Sequence, residues 1–236
     1  MSTDRYDVPE AFDAGAEAYD GLVGSNPGYH EHLRLSAERM RIPDQGRGLR
    51  LLDIGCGTGA STAALLQAAP LAEIVAVDGS AGMLEQARRK TWPSSVSFVH
   101  SRAETLAEAG VAGPFDGILG AYLIRNVPDP DAVLQSLRAL LRPGGVLAVH
   151  EYSVRDSAVA KAVWNAVSAA IIIPAGKLRT GDADLYRYLR RSVNRFDGAT
   201  QFRNRLSRNG FVDVQSQTMP GWQRNIVHTF LARAPR

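Results

Sequence analysis

The 236 residues include 45% hydrophobic and 22% charged residues and sum to a net charge of +3, as in ordinary globular proteins of one large or two small domains. One cysteine, Cys56, excludes a disulfide framework and a cysteine zinc site. The acidic, polar start "MSTDRYDVPEAFD" does not read as a secretory signal, and no apolar run reaches the ~18 residues of a membrane span, so a cytoplasmic protein is expected.

In chain order, residues 1–46 read as a helical cap laid over a sheet edge. "LRLLDI" (49–54) reads as a buried strand, and the glycine turn "GCGTGA" leads into a helix at 60–68. "EIVAVD" (73–78) is a second strand, followed by a helix over 81–90. "VSFVHS" (96–101) and "FDGILGAY" (115–122) are the third and fourth strands. Asp129, Pro130 and Asp131 open a helix over 129–141, and "RPGG" is the turn that stops it. "VLAVHEY" (146–152) is the fifth strand. Strands alternating with helices imply parallel βαβ units with right-handed crossovers. Residues 156–209 read as helical, with breaks at Pro174–Gly176, Thr180–Asp182 and Asp197–Gly198. "FVDVQSQTM" (211–219) and "IVHTFLAR" (226–233) flank a Pro220-Gly221 turn, so they pair antiparallel. The expected architecture is α/β: a seven-stranded, mainly parallel sheet with the last strand antiparallel. The chain is taken as a single domain: cap 1–46, cofactor-binding core 47–155, helical lid 156–209 and C-terminal hairpin 210–236.

The stretch "LLDIGCGTGA" (51–60) is how a strand turns into a helix around a nucleotide. Gly55, Gly57 and Ala60 satisfy one form of the dinucleotide fingerprint, so the glycines do not choose the ligand. Asp53 does. A carboxylate at the mouth of the turn repels a diphosphate and attracts an ammonium group, which S-adenosylmethionine carries in that place. Asp78, closing the second strand, suits the ribose of either cofactor.

From here the sequence resembles a family. "LLDIGCGTG", "VAVDGSAGML", "HSRAETL", "FDGILGAY" and "LRALLRPGG" are similar, in order, to the motifs of class I S-adenosylmethionine-dependent methyltransferases, a Rossmann-like fold. "LIRNVPDPDAVLQSLRALLRPGGVLAVHEYS" and "RRSVNRFDG" resemble the narrower ubiquinone/menaquinone biosynthesis C-methyltransferases. The resemblance implies that Gly55, Gly57 and Gly59 admit the methionine moiety and that Asp53 holds its amino group. It implies Asp78, beside Gly79, on the ribose, Met83 packed on the adenine, and Ala103 and Glu104 at the adenine edge.

Absences narrow the acceptor. No Pro-Pro pair follows the fourth strand, as amino-group methylation of nucleic acid would need. The only cysteine lies in the cofactor turn, and no carboxylate cluster or other metal site is assembled. A small apolar molecule remains, with no nucleic-acid partner. The favoured reaction is C-methylation of a quinol or isoprenoid-type substrate. The runners-up are O- or C-methylation of another secondary metabolite, and a cofactor-binding cyclase or regulator. Tyr122, Arg125 and Asn126 after the fourth strand, and Glu151 at the end of the fifth, are the candidate catalytic residues, because ligands bind outside the carboxyl ends of strands. The plain alternatives are that Arg125 and Glu151 form a structural ion pair and that Asn126 caps a turn. His150 faces away from Glu151 on an alternating strand. His228 and Tyr19 are the reserve bases.

The end of the chain is basic: from Lys177 to Arg236 there are twelve Lys and Arg against four Asp and Glu. The helical stretch 156–209 is expected to roof the acceptor pocket, and its apolar part 158–176 with the neighbouring basic segment to offer peripheral membrane contact. The oligomeric state is left open.

Overall fold

A computed structural model of the protein describes Asp13, residues 28–180 and residues 183–236, without the side chains of 179 and 180. The rest of the expected cap before residue 28, Tyr19 included, and the break expected at 181–182 lie outside the described residues.

The strands are β1 (Arg50–Ile54), β2 (Glu73–Asp78), β3 (Val96–His100), β4 (Phe115–Ala121), β5 (Leu141–Tyr152), β6 (Val212–Thr218) and β7 (Val227–Arg233). They form one sheet in the order β3-β2-β1-β4-β5-β7-β6. The first five are parallel, and β7 runs antiparallel between β5 and β6. The chain's last strand is thus the antiparallel one, and it lies one place in from the edge. One boundary differs from the sequence reading. "RPGG" does not separate helix from strand: Leu141 already pairs with Phe115 across a register shift, so β5 begins at the helix end.

The helices are α1 (Tyr29–Arg39), α2 (Ala60–Ala68), α3 (Ala81–Arg88), α4 (Pro130–Leu140), α5 (Ala158–Val167), α6 (Ile173–Thr180), α7 (Asp184–Arg195) and α8 (Ala199–Arg208). Asp129 starts α4 as expected, its Oδ1 accepting from the N–H groups of Asp131 and Ala132. On one sheet face Leu33 and Ala37 of α1 and Met40 just after it pack with Leu65 of α2 over Leu51, Leu119 and Val146. This helix therefore covers the face of the sheet and not its edge. On the other face Leu134 and Leu137 of α4 join Phe202 and Leu206 of α8 over Ile118, Leu147 and Phe230. Residues 199–208 are thus core and not part of a roof.

The stretch from α5 to α6 also departs from expectation. A wider π turn at Ser168–Ile172 joins the two helices, so the chain passes Pro174 without a break. Among the described residues, Ala158–Leu178 is a helix of 21 residues that contains an 18-residue stretch of mean hydropathy 1.6, long and apolar enough to cross a membrane by length and composition. Its inner side is nonetheless anchored. Trp164 is fully buried against Tyr152, and a Cβ at Gly176 would lie 2.2 Å from the Tyr186 ring.

Because Phe202 packs against the rings of Phe196 and Phe230 at 5.2 and 4.7 Å, Phe202→Ala is expected to cost about 3–5 kcal/mol in urea unfolding. A loss below about 1 kcal/mol would place α8 outside the core.

Candidate active site

The carboxyl ends of β1, β2, β4 and β5 meet at one edge of the sheet, and nearly every expected site residue gathers there. Asp53 is fully buried on β1. Its Oδ2 accepts from Ser61 Oγ at 2.8 Å and Thr62 Oγ1 at 2.6 Å, both in the first turn of α2. Its Oδ1 has no hydrogen-bond partner among the described residues. Burial pushes its pKa up to about 7, against the pull of the two hydroxyls.

The glycines earn their places differently. All three have left-handed φ, +74° at Gly55, +55° at Gly57 and +91° at Gly59. A Cβ at Gly59 would strike Trp92 at 2.7 Å, whereas at Gly57 it would meet nothing within 4 Å among the described residues. Gly59 is thus needed for packing, and Gly57 faces space that no described residue fills. The Asp78 carboxylate accepts from Gly57 N at 2.7 Å and Ser80 N at 2.8 Å. It ties the glycine turn to the loop after β2. Burial raises the Asp78 pKa, and these two N–H groups oppose the shift. Cys56 is buried inside the turn, and burial followed by the charges of Asp53 and Asp78 pushes its thiol well above the ordinary range. It is no nucleophile.

Around this centre Met83 is buried in the first turn of α3, and the Gly79 carbonyl accepts from His100 Nε2 at 3.1 Å. Ala103 is buried after β3, while Glu104 is exposed. Asp13, which no motif marked, accepts from Ser80 Oγ at 2.5 Å and Gly82 N at 2.8 Å at the start of α3.

Tyr122 ends β4 with a left-handed φ of +56°, strained backbone for a bulky side chain. Its carbonyl accepts from Arg125 Nη1 at 3.1 Å and from Asn126 Nδ2 at 2.9 Å. The Arg-Asn pair thereby closes the turn on itself. Arg125 Nη1 also meets Glu151 Oε1 at 2.5 Å in an ion pair whose side chains are 6% and 0% exposed. Glu151 accepts as well from the N–H groups of Tyr152 and Arg125. Burial works against both charges. It raises the Glu151 carboxyl above its usual range, while the Glu151 charge holds Arg125 above its own. Leu123 beside this turn lies 3.2 Å from where a Gly55 Cβ would be, so the two loops touch.

A second group was not assembled from sequence. His150, on the opposite face of β5 from Glu151, meets the Tyr122 hydroxyl through Nε2 at 2.9 Å and Ser36 Oγ through Nδ1 at 2.8 Å. Ser36 reaches Thr229 at 2.7 Å, and Arg39 donates to the same Thr229 oxygen at 2.8 Å. Burial, then nearby cationic groups, lowers His150 to about 3, so it is neutral. Tyr29 stacks on Tyr122 at 5.9 Å, and Tyr152 lies 5.0 Å from it. Tyr188 of α7 donates to Asn126 Oδ1 at 3.2 Å. Thr229 was the legible part of this chain, because β5–β7 pairing puts it opposite His150. Ser36, Tyr29 and Tyr188 carried no motif.

The residues present fit S-adenosylmethionine. An unpartnered buried carboxylate oxygen suits an ammonium group, and the space at Gly57 suits the chain that bears it. A parallel sheet with this acidic glycine turn at its carboxyl edge defines a class I S-adenosylmethionine-dependent methyltransferase.

The chain belongs to the ubiE/COQ5 methyltransferase family, whose model matches residues 1–228. It is 31% identical over 214 residues to a demethylmenaquinone methyltransferase of Clavibacter sepedonicus, covering 90% of this chain and 85% of that one. It is 34% identical over 219 residues to a ubiquinone/menaquinone biosynthesis C-methyltransferase of Pseudomonas paraeruginosa, covering 91% and 84%. Among solved structures, the [4+2]-cyclase SpnF shares the fold, with a TM-score of 0.70, 18% identity, and 100% and 97% of the two chains covered.

Asp53→Asn is expected to weaken cofactor binding by roughly 1.5–3 kcal/mol in calorimetry. It is also expected to raise the apo melting temperature at pH 8. Native Asp53 keeps its proton to about pH 7 while the unfolded carboxyl ionises near 4, so the wild type loses stability as pH rises through that window. A lower melting point for the variant at pH 8 would mean that the ionised form is not strained in the fold.

Two histidines act in the opposite sense. Burial lowers His228 to about 4 as well as His150 to about 3. The unfolded chain takes up their protons below about pH 6.5. Stability is therefore expected to be fully present above that pH and to fall as pH drops toward 4, more steeply in Asp53→Asn, where the opposing carboxyl is gone. Unfolding free energies flat from pH 6.5 to 4.5 in that variant would exclude buried neutral histidines.

Proposed function

We propose that this enzyme C-methylates a hydroxylated ring bearing a hydrophobic tail, such as a quinol. The observation that carries this reading is the Tyr122–His150 pair: a phenol held on a neutral imidazole beside the glycine turn. The names of the relatives support the same substrate class.

When bound, S-adenosylmethionine would supply a sulfonium-activated methyl group to the acceptor carbon. Asp53 Oδ1 would hold the ammonium, and Gly55, Gly57 and Gly59 would admit the methionine part. Asp78 and Gly79 would hold the ribose, and Met83, Ala103 and Glu104 the adenine. Tyr122, its hydroxyl fixed on His150 Nε2, would hydrogen-bond the ring hydroxyl as its proton leaves to water, while burial keeps the imidazole itself neutral. The oxygens of Glu151 are already committed, so it acts as a positioning residue for Arg125. Arg125 and Asn126 position Tyr122 by holding its carbonyl. The aromatic rings of Tyr29, Tyr122 and Tyr152 form an apolar wall that excludes water from the ring. Aligning the two reactants in such a site is worth ~7–11 kcal/mol.

The test is turnover of labelled cofactor on a short-chain demethylated quinol, with the product mapped. Tyr122→Phe is expected to lower kcat by about 10²-fold. Cofactor affinity should stay within about threefold, ~0.6 kcal/mol. Arg125→Ala and Glu151→Gln should lower kcat by at least about 10²-fold and melt earlier, since each leaves a buried charge unpaired. The exposed Arg34→Ala is the control. A methyl ether as product, or full activity in Tyr122→Phe, would overturn this mechanism.

A further inference from the structure

One surface of the molecule plays no part in the chemistry above. In the most apolar 18-residue stretch of the helix Ala158–Leu178 only 17% is buried, despite its apolar composition. Its anchored side is Ala160, Trp164, Ser168 and Gly176. Its outer side carries Val159, 74% exposed, Ile171, 61% exposed, and Leu178, 88% exposed, with Val163 between them. A soluble protein seldom leaves such a stripe in water unless something covers it.

The neighbouring surface says what covers it. A cavity of about 410 Å³ lies between the helix and α7, lined by Ile173, Arg187, Arg190, Arg191, Asn194 and Arg195. Arg187 pairs with Asp184, and Arg190 Nε donates to Asn165 Oδ1 at 2.9 Å. Arg191 and Arg195 are exposed and have no carboxylate partner among the described residues. Lys161 and Lys177 are exposed along the helix itself. An apolar stripe beside an arginine-lined cavity matches a molecule with an anionic head and an apolar tail.

We propose that this face docks on an anionic phospholipid bilayer. Leu178, Ile171 and Val159 enter the boundary between head groups and acyl chains, and the Arg187–Arg195 cavity takes a head-group phosphate. Guanidinium groups suit phosphate because they donate in a planar fork. The helix lies on the membrane and does not cross it, because Trp164 and Gly176 hold its other side in the protein core. A second copy of the chain fits the face poorly. A two-fold contact would bring the arginine clusters of both copies together. The proposal does not depend on which acceptor the enzyme methylates.

The experiment is co-sedimentation of the full chain with phosphatidylcholine vesicles, with and without phosphatidylglycerol. Binding is expected only with phosphatidylglycerol, and raised salt should release it. Arg191→Glu with Arg195→Glu, and separately Val159→Asp with Leu178→Asp, should each weaken binding at least about tenfold. All four positions are exposed, so melting temperature and cofactor affinity should not change. Absence of binding to the anionic vesicles would overturn the proposal, as would equal binding to neutral ones or by the variants. A lipid-free dimer that both variant pairs dissolve would also overturn it and assign the face to a second copy.

Discussion

The ion pair between Arg125 and Glu151 is the constraint on which the carboxyl edge of the sheet depends. Glu151 stands on β5 and Arg125 follows β4, so the pair fastens two neighbouring strand ends. Buried charges of this kind gain little net stability, because desolvation offsets most of their attraction. What they give is position. Once Arg125 is held by Glu151, its Nη1 also fixes the Tyr122 carbonyl, and Asn126 fixes it from the other side. The left-handed Tyr122 backbone persists because these contacts over-determine it. The phenol is thereby carried to His150, and Leu123 is pressed against the glycine turn. A single buried pair thus connects the Tyr122–His150 contact to the glycine turn.

Much of this was legible in the sequence, and for physical reasons. Buried parallel strands are nearly continuous apolar runs, so β1, β2, β4 and β5 stood out, and the Pro-Gly turn gave the antiparallel hairpin. Asp53 was legible because a carboxylate beside a glycine turn has few uses. The structure adds that one of its oxygens has no partner among the described residues, which no residue pattern shows. The Arg125–Glu151 pair was foreseen both as chemistry and as a structural contact, and the geometry favours a positioning role that combines them. His150 was set aside as facing away from Glu151. It does so, but faces Tyr122.

The errors have a common origin. Proline was read as a helix end at Pro174, yet a π turn just before it relieves the clash that normally stops the chain. "RPGG" was read as a boundary, yet a bulge lets Leu141 pair at once with β4. Residues 156–209 were read as one lid because all are helical. Periodicity reports that a helix has an apolar face, but it does not say which surface that face meets. For α8 it is the sheet, through Phe202; for α5 and α6 the apolar residues divide between Trp164 inside and Leu178 outside.

The distribution of strain follows from these assignments. The two sheet faces are packed with aliphatic and aromatic side chains, and they supply the stability. The carboxyl edge instead concentrates unfavourable features: an orphaned oxygen on Asp53, a left-handed tyrosine, two buried charges and a histidine kept neutral by desolvation. An ammonium group would relieve the first of these, the Asp53 oxygen that has no partner among the described residues. The imidazole is different: burial disfavours its protonated form, so it serves as a fixed hydrogen-bond partner of Tyr122. The fold is therefore least satisfied where a bound cofactor has most to contribute.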